Sequence, residues 1–216
     1  MRAIDPAPTV VFDLGGVVLH WEPAQLLMQH LPERLATVDQ ARELAARFFE
    51  SFRPGGAWAE FDQGMLSADD VAQRIANHTG LPIDAVQVVM QGVPAHLTLR
   101  ADTTALLREL KDAGQRLVYL SNMPAPYVDH VRRLLDPLDV FERGVFSSQV
   151  RLVKPDPALF ELALRAFDCH AGDCVFLDDN PVNVEAADRA GWRALHFSDA
   201  AQARRELLGL GVLSDQ

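Results

Sequence analysis

The sequence predicts an α/β protein built on a doubly wound, mostly parallel sheet with a helical insertion after its first strand. Three observations carry that prediction: short apolar runs alternate with amphipathic helical patterns, Gly and Pro punctuate the joints, and one long interval holds helical signals alone. Such alternation marks strand–helix–strand crossovers, right-handed at each return to a parallel sheet. A chain of 216 residues is long enough for one such sheet with a modest insertion.

Five runs read as strands: TVVF (9–12), RLVYLS (116–121), RGVFSS (143–148), CVFLD (174–178) and RALHF (193–197). They are apolar rather than alternating, as strands covered on both faces must be. Helical patterns separate them at 101–113 (closed by Gly114), 126–135, 157–167, 181–190 (closed by Gly191) and about 199–209. Between about 22 and 95 only helical signals occur. Ser67-Ala-Asp-Asp70 opens one helix with a capping-type pattern, and Pro23, Pro82 and the Gly55-Gly56 pair punctuate others. That interval is too long for a crossover and predicts a small helical bundle beside the end of the first strand, placed to act as a lid. The expected organisation is a core of 1–21 and 96–216 with an α-helical insertion at 22–95. Trp58, Phe61 and Met65 are expected to pack inside the bundle, with ligand contact as the alternative.

Composition narrows the function. A net charge of −10 repels polyanions, and no basic stripe offsets it, so a nucleic-acid partner is not expected. No apolar run approaches the roughly 18–20 residues of a membrane span. The amino-terminal MRAIDPAPTVVFDLGG places acids and prolines where a signal peptide needs a basic and then an apolar stretch. With Cys169 and Cys174 the only cysteines, a reducing cytoplasmic setting is the expectation. The partner expected is a small molecule. Of the 20 basic residues only Lys111 and Lys154 are lysines; Lys111 reads as a solvated helix-end charge, while Lys154 stands in VKPDP, where a specific use for a compact ammonium and chance are the two readings.

Ligands of open α/β sheets bind beyond the carboxyl ends of the strands, so polar residues there are the candidates. The first strand runs into Asp13-Leu14-Gly15-Gly16, the second ends in Ser121-Asn122, the fourth in Asp178-Asp179-Asn180, and Lys154 follows the third. Asp13 and Asp179 are hard oxygen ligands that, with a nearby backbone carbonyl, suit Mg²⁺. The Ser121 hydroxyl, backbone N–H groups and Lys154 can hold phosphoryl oxygens, while Asp13 attacks phosphorus in line. Two adjacent carboxylates, Asp178 and Asp179, need a cation between them. A strand-end turn with helix caps at Asp178 and Asn180 is the alternative. P-loop, GxSxG, HExxH and CxxC patterns are missing, and Gly15-Gly16 lacks the third glycine of a dinucleotide fingerprint.

These residues resemble the haloacid dehalogenase-like hydrolases along nearly the whole chain. VVFDLGGVVL is similar to the first motif, VYLSN to the second, LVKPDP to the third and FLDDNPVNVEAADRAGW to the fourth; WAEFDQGMLSADDV (58–71) is similar to helical-cap sequences. The resemblance implies a Rossmann-like core with an inserted cap and a catalytic set of Asp13 as nucleophile, Ser121 and Lys154. Substrate would be held by Ser121, Asn122 and Lys154, and Mg²⁺ by Asp13, Asp179 and the Gly15 carbonyl, with Asp178 and Asn183 in support. It also carries a departure. Phosphatases of the family place a general acid two residues after the nucleophile, and here that position is Gly15. A sugar-phosphate phosphatase branch, with glucose-1-phosphate among its substrates, resembles this chain in its DLG, and proton transfer would then fall to water or to a cap residue. The expected activity is Mg²⁺-dependent hydrolysis of a small phosphorylated metabolite, a sugar phosphate among the possibilities, through a phospho-aspartate. A 2-haloacid dehalogenase and a phospholigand-binding protein without turnover are the alternatives.

Overall fold

The computed structural model describes residues 8–214, so the expected core extends past it at 1–7 and 215–216. Strand β1 (Thr9–Phe12) is followed by the inserted helices α1 (Pro23–His30), α2 (Val38–Phe48), α3 (Ala57–Asp62), α4 (Ala68–Thr79) and α5 (Ile83–His96). The order then runs α6 (Ala101–Asp112), β2 (Arg116–Ser121), α7 (Ala125–Leu135), β3 (Arg143–Phe146), α8 (Ser147–Val150), α9 (Pro157–Phe167), β4 (Cys174–Asp178), α10 (Pro181–Arg189), β5 (Arg193–His196) and α11 (Ala200–Gly209). The strands form one sheet in the order β3-β2-β1-β4-β5, and every pairing is parallel. Strand order therefore reverses at β1, which has β2 on one side and β4 on the other. This is the Rossmann-like, doubly wound α/β fold with helical insertions that the alternation predicts.

The apolar runs are explained by burial on both faces. Val10, Phe12, Leu117, Val175 and Leu177 join a core shared with the inserted helices, while Val11, Val118, Leu120 and Phe176 pack on the other side against Phe160, Phe167 and Trp192. Phe160, Phe176 and Trp192 meet edge-to-face, with centroids 5.4–6.0 Å apart. The first core runs without a break from the sheet through Leu26, Phe48, Phe49, Trp58, Phe61 and Ile75, so the insertion is packed onto the sheet rather than tethered beside it. Among the described residues no helix is long and apolar enough to cross a membrane.

Local signals set the helix ends. Ser67 accepts from the Asp70 N–H and so caps α4, as its pattern predicts, and Gly80 ends that helix in the left-handed region. Two expectations need correction. The third strand stops at Phe146 rather than at 148, because Ser147 turns into α8. Its hydroxyl is taken by two distant backbone groups, accepting from Met123 N at 2.8 Å and donating to Asp62 O at 2.5 Å. Met65 does not pack in the bundle: α3 ends at Asp62, Gly64 turns the chain at φ +72°, and Met65 is left 55% exposed.

Phe176 is fully buried at the centre of the second core. Phe176→Ala should lower the free energy of unfolding by about 3–5 kcal/mol in urea titration, with an unchanged m-value; a loss below about 1 kcal/mol would mean that Phe160 and Trp192 do not depend on it.

Candidate active site

The carboxyl ends of β1 and β4 set two chain turns side by side, with Asp13 N–H bonded to Leu177 O at 2.9 Å. Asp13 and Asp178 thus leave adjacent strands next to each other, and the Lys154 ammonium lies between them, 2.8 Å from Asp13 Oδ1 and 2.6 Å from Asp178 Oδ2. All three are buried, Asp178 completely. Lys154 also lies over the Phe176 ring, 5.5 Å from its centroid. Asn122 fixes it from below: the amide donates to Lys154 O at 3.0 Å and accepts from Lys154 N at 2.8 Å, so both ends of that side chain are used on the backbone of residue 154. Asp178 is completed by Asn183 Nδ2 at 3.0 and 3.1 Å and by the Asn180 N–H at 2.8 Å.

Asp179, the residue after β4, is grouped with Asp13 and Asp178. Its carboxylate lies so close to Gly16 that a Cβ there would sit 2.2 Å from Oδ2, and Gly16 has φ +76°, so both space and backbone require glycine. Gly15 differs. Its φ is not left-handed, and an added Cβ would meet only Trp21, at 3.8 Å, so the backbone does not exclude a side chain at 15.

Asp13, Asp178 and Asp179 each bring a carboxylate oxygen within 4.8 Å of the others. Burial raises the pKa of Asp13 to about 7, against the pull of Lys154 and with a further push from Asp178 and Asp179. Burial and then Asp178 raise Asp179 to about 6. For Lys154 burial acts downward, but Asp13 and Asp178 outweigh it and hold the ammonium above its ordinary value. Three carboxylates thus face one ammonium. Asp13 Oδ1 takes bonds from Leu14 N (2.6 Å) and Lys154, while its Oδ2 and the Gly15 carbonyl accept no hydrogen bond among the described residues. That is an oxygen-rich donor set short of positive charge, which fits a divalent cation such as Mg²⁺.

These groups line the floor of a cavity of about 150 Å³ whose walls are Trp21, Phe52, Trp58, Val93, Leu97 and Met123. Asp13, Gly15, Asn122, Lys154, Asp179 and Asn183 line it; Ser121 does not, being 1% exposed with its hydroxyl 3.4 Å from Asn122 O. Trp58 is both buried and part of the wall, whereas Phe61 is core alone. The sequence reading missed Trp21 and, above all, Asp62. Asp62 ends α3, is 5% exposed, lines the cavity and has its carboxyl pushed well above the usual range, first by burial. The available signal was its spacing: 62 follows Trp58 by four and Phe61 by one, an acid on the apolar face of its helix.

With the geometry in place, comparison with known proteins is direct. The family model for haloacid dehalogenase-like hydrolases matches residues 7–191, and the chain belongs to that family. It is 29% identical over 198 residues to the sesquiterpene phosphatase astK of Aspergillus oryzae, covering 91% of this chain and 93% of that one. It is also 24% identical to the (S)-2-haloacid dehalogenase H-109 of Pseudomonas putida, covering 98% of each. A family enzyme from Bacteroides thetaiotaomicron in complex with magnesium and inorganic phosphate shares the fold, with a TM-score of 0.67 at 17% identity over 89% of this chain and 94% of that one.

The raised carboxyls give a signed prediction. A group with a folded pKa above its unfolded value favours the folded state at low pH, and that contribution is lost as pH rises. For Asp13 the window runs from about 4 to about 7. In EDTA, Asp13→Asn should therefore gain stability relative to wild type across that window, read as a growing difference in melting temperature; a constant difference would contradict the shift.

Proposed function

We propose that this hydrolase is a Mg²⁺-dependent phosphomonoesterase working through phospho-Asp13 on a small phosphorylated compound with an apolar organic part. The observation that carries the reading is Asp13 itself, with one oxygen fixed by Leu14 N and Lys154 and the other left uncommitted over the cavity floor. Asp13 would attack phosphorus as the ester oxygen departs, and water would then cleave the acyl phosphate. Lys154 orients Asp13, and its remaining N–H can reach a phosphoryl oxygen. Ser121, expected as the other donor, does not line this cavity and could reach a phosphoryl oxygen only after a local rearrangement, whereas Asn122 serves by clamping Lys154. Mg²⁺ held by Asp13, Asp179 and the Gly15 carbonyl would neutralise phosphoryl charge. A C–halogen hydrolase would share Asp13 but has no evident use for Asp179 pressed against Gly16.

We take residues 22–95 as a cap over a core of 1–21 and 96–216. Its contribution to the cavity is mostly aromatic and aliphatic, which offers a sugar few hydroxyl partners and a hydrocarbon a continuous surface. The likeness to a sesquiterpene phosphatase agrees with that choice. Cys169 and Cys174 are both free thiols, in keeping with a reducing cytoplasm as the place of action.

Added Mg²⁺ should raise the melting temperature of the wild type, and Asp179→Ala should lose that response. EDTA and Asp13→Asn should each abolish release of phosphate from aryl phosphate, and more than a few per cent residual activity in a mass-verified Asp13→Asn variant would sink the covalent route.

Across a panel of monophosphates, those with a branched alkyl or allylic group should exceed glucose-1-phosphate in kcat/KM by about tenfold or more. Two buried methylenes at roughly 0.8 kcal/mol each account for that factor. Equal values, or the reverse order, would return the assignment to sugar phosphates.

A further inference from the structure

We infer that Asp62, at the end of α3, is the proton donor to the departing ester oxygen and then the base toward water, the work that no side chain at position 15 can do here. This role rests on the hydrolase reading above. Asp62 lines the cavity that also holds Asp13 and Lys154. It is nearly buried, and its carboxyl takes no hydrogen bond or ion pair among the described residues. A buried carboxyl without a partner costs stability, so its retention on the apolar face of α3 calls for a use in the cavity it faces.

Its position is also fixed. The Ser147 hydroxyl donates to Asp62 O at 2.5 Å and accepts from Met123 N, joining α3 to the loop after β2. Gln63 Nε2 donates to Arg151 O at 2.8 Å, and Gly64 packs so closely on Ser148 that a Cβ would sit 2.8 Å from its carbonyl. Three consecutive residues thus bind the end of α3 to the segment between β3 and Lys154. Asp62 therefore belongs to the insertion by sequence but keeps its place relative to the core, as a proton-transfer group must.

Meanwhile Trp21 occupies the direction in which a residue-15 side chain would point. The groups that act on Asp62 are Lys154 and Asp13, and Tyr127 on α7 feels its charge in turn. Burial outweighs Lys154, so Asp62 keeps its proton to higher pH than an exposed carboxyl does.

The step balances. As the Asp13–phosphorus bond forms and the ester P–O bond breaks, the Asp62 proton goes to the leaving oxygen and gives the alcohol. Asp62 carboxylate then takes a proton from water as its oxygen attacks phosphorus, the Asp13–P bond breaks, phosphate leaves, and Asp62 is protonated again.

The test compares wild type, Asp62→Asn and Asp62→Glu on an alkyl phosphate and an activated aryl phosphate with Mg²⁺, by steady-state rate, rapid-quench burst and mass of the phospho-enzyme. Asp62→Asn should lose about 10²- to 10⁴-fold on the alkyl ester, far more than in its aryl-phosphate burst. It should also accumulate phospho-Asp13, with partial rescue in Asp62→Glu. Because the carboxyl bonds to nothing and its burial costs stability, the melting temperature of Asp62→Asn should hold or rise, and its Mg²⁺ response should hold. A loss in the aryl-phosphate burst as large as that in the alkyl-ester rate, or no build-up of phospho-enzyme, would overturn the role of Asp62 while leaving the hydrolase intact. Absence of wild-type turnover on every phosphate ester would overturn both.

Discussion

The site depends on one buried ammonium. Lys154 is placed between Asp13 and Asp178, and its ammonium is the one cationic group that both buried carboxyls contact among the described residues. The arrangement is expensive to build, and the fold meets that cost with rigid backbone geometry. Parallel strands β1 and β4 fix the two acids side by side, Asn122 holds the residue-154 backbone by both amide ends, and Asn183 and Asn180 N–H saturate Asp178. Because Lys154 is shared, it cannot also neutralise Asp179. Burial first, and the neighbouring carboxylates after it, raise Asp13 and Asp179, and the oxygen-rich donor set at the end of β1 is left short of positive charge.

Around this floor the chemistry divides by origin. The sheet supplies the charged groups, which need exact mutual spacing and therefore sit at strand ends. The insertion supplies Phe52, Trp58, Val93 and one acid. Aromatic contacts from Trp21 to Phe49 and Phe52, at centroid distances of 5.4 and 6.4 Å, continue the apolar wall into the insertion's own core. The cavity of about 150 Å³ places these apolar walls directly above the charged floor.

Much of the fold was legible in the sequence because its determinants are local. Apolar runs with Gly and Pro between them located all five strands, and the capping pattern at Ser67 located the start of α4. Asp13, Gly15, Asn122, Lys154, Asp178 and Asp179 lie together because a parallel sheet brings the carboxyl ends of its strands to one edge, and Asn183 joins them from α10 through Asp178. The end of β3 and the exposure of Met65 were not legible, because Ser147 and Gly64 reveal their conformations only through partners far along the chain.

The sequence by itself determined the layered α/β plan, the helical insertion and the acid, amide and lysine positions along the sheet edge, all consequences of periodicity and chain order. Tertiary structure alone decided that Asn122 serves the Lys154 backbone, that Ser121 lies behind the cavity wall, that Trp21 occupies the space beside Gly15, and that Asp62 enters the site. Each of these is a contact between segments brought together by packing. Asp62 and Ser147 are separated by 85 residues, a juxtaposition set by how a helix end docks on a sheet edge and carried by no local pattern.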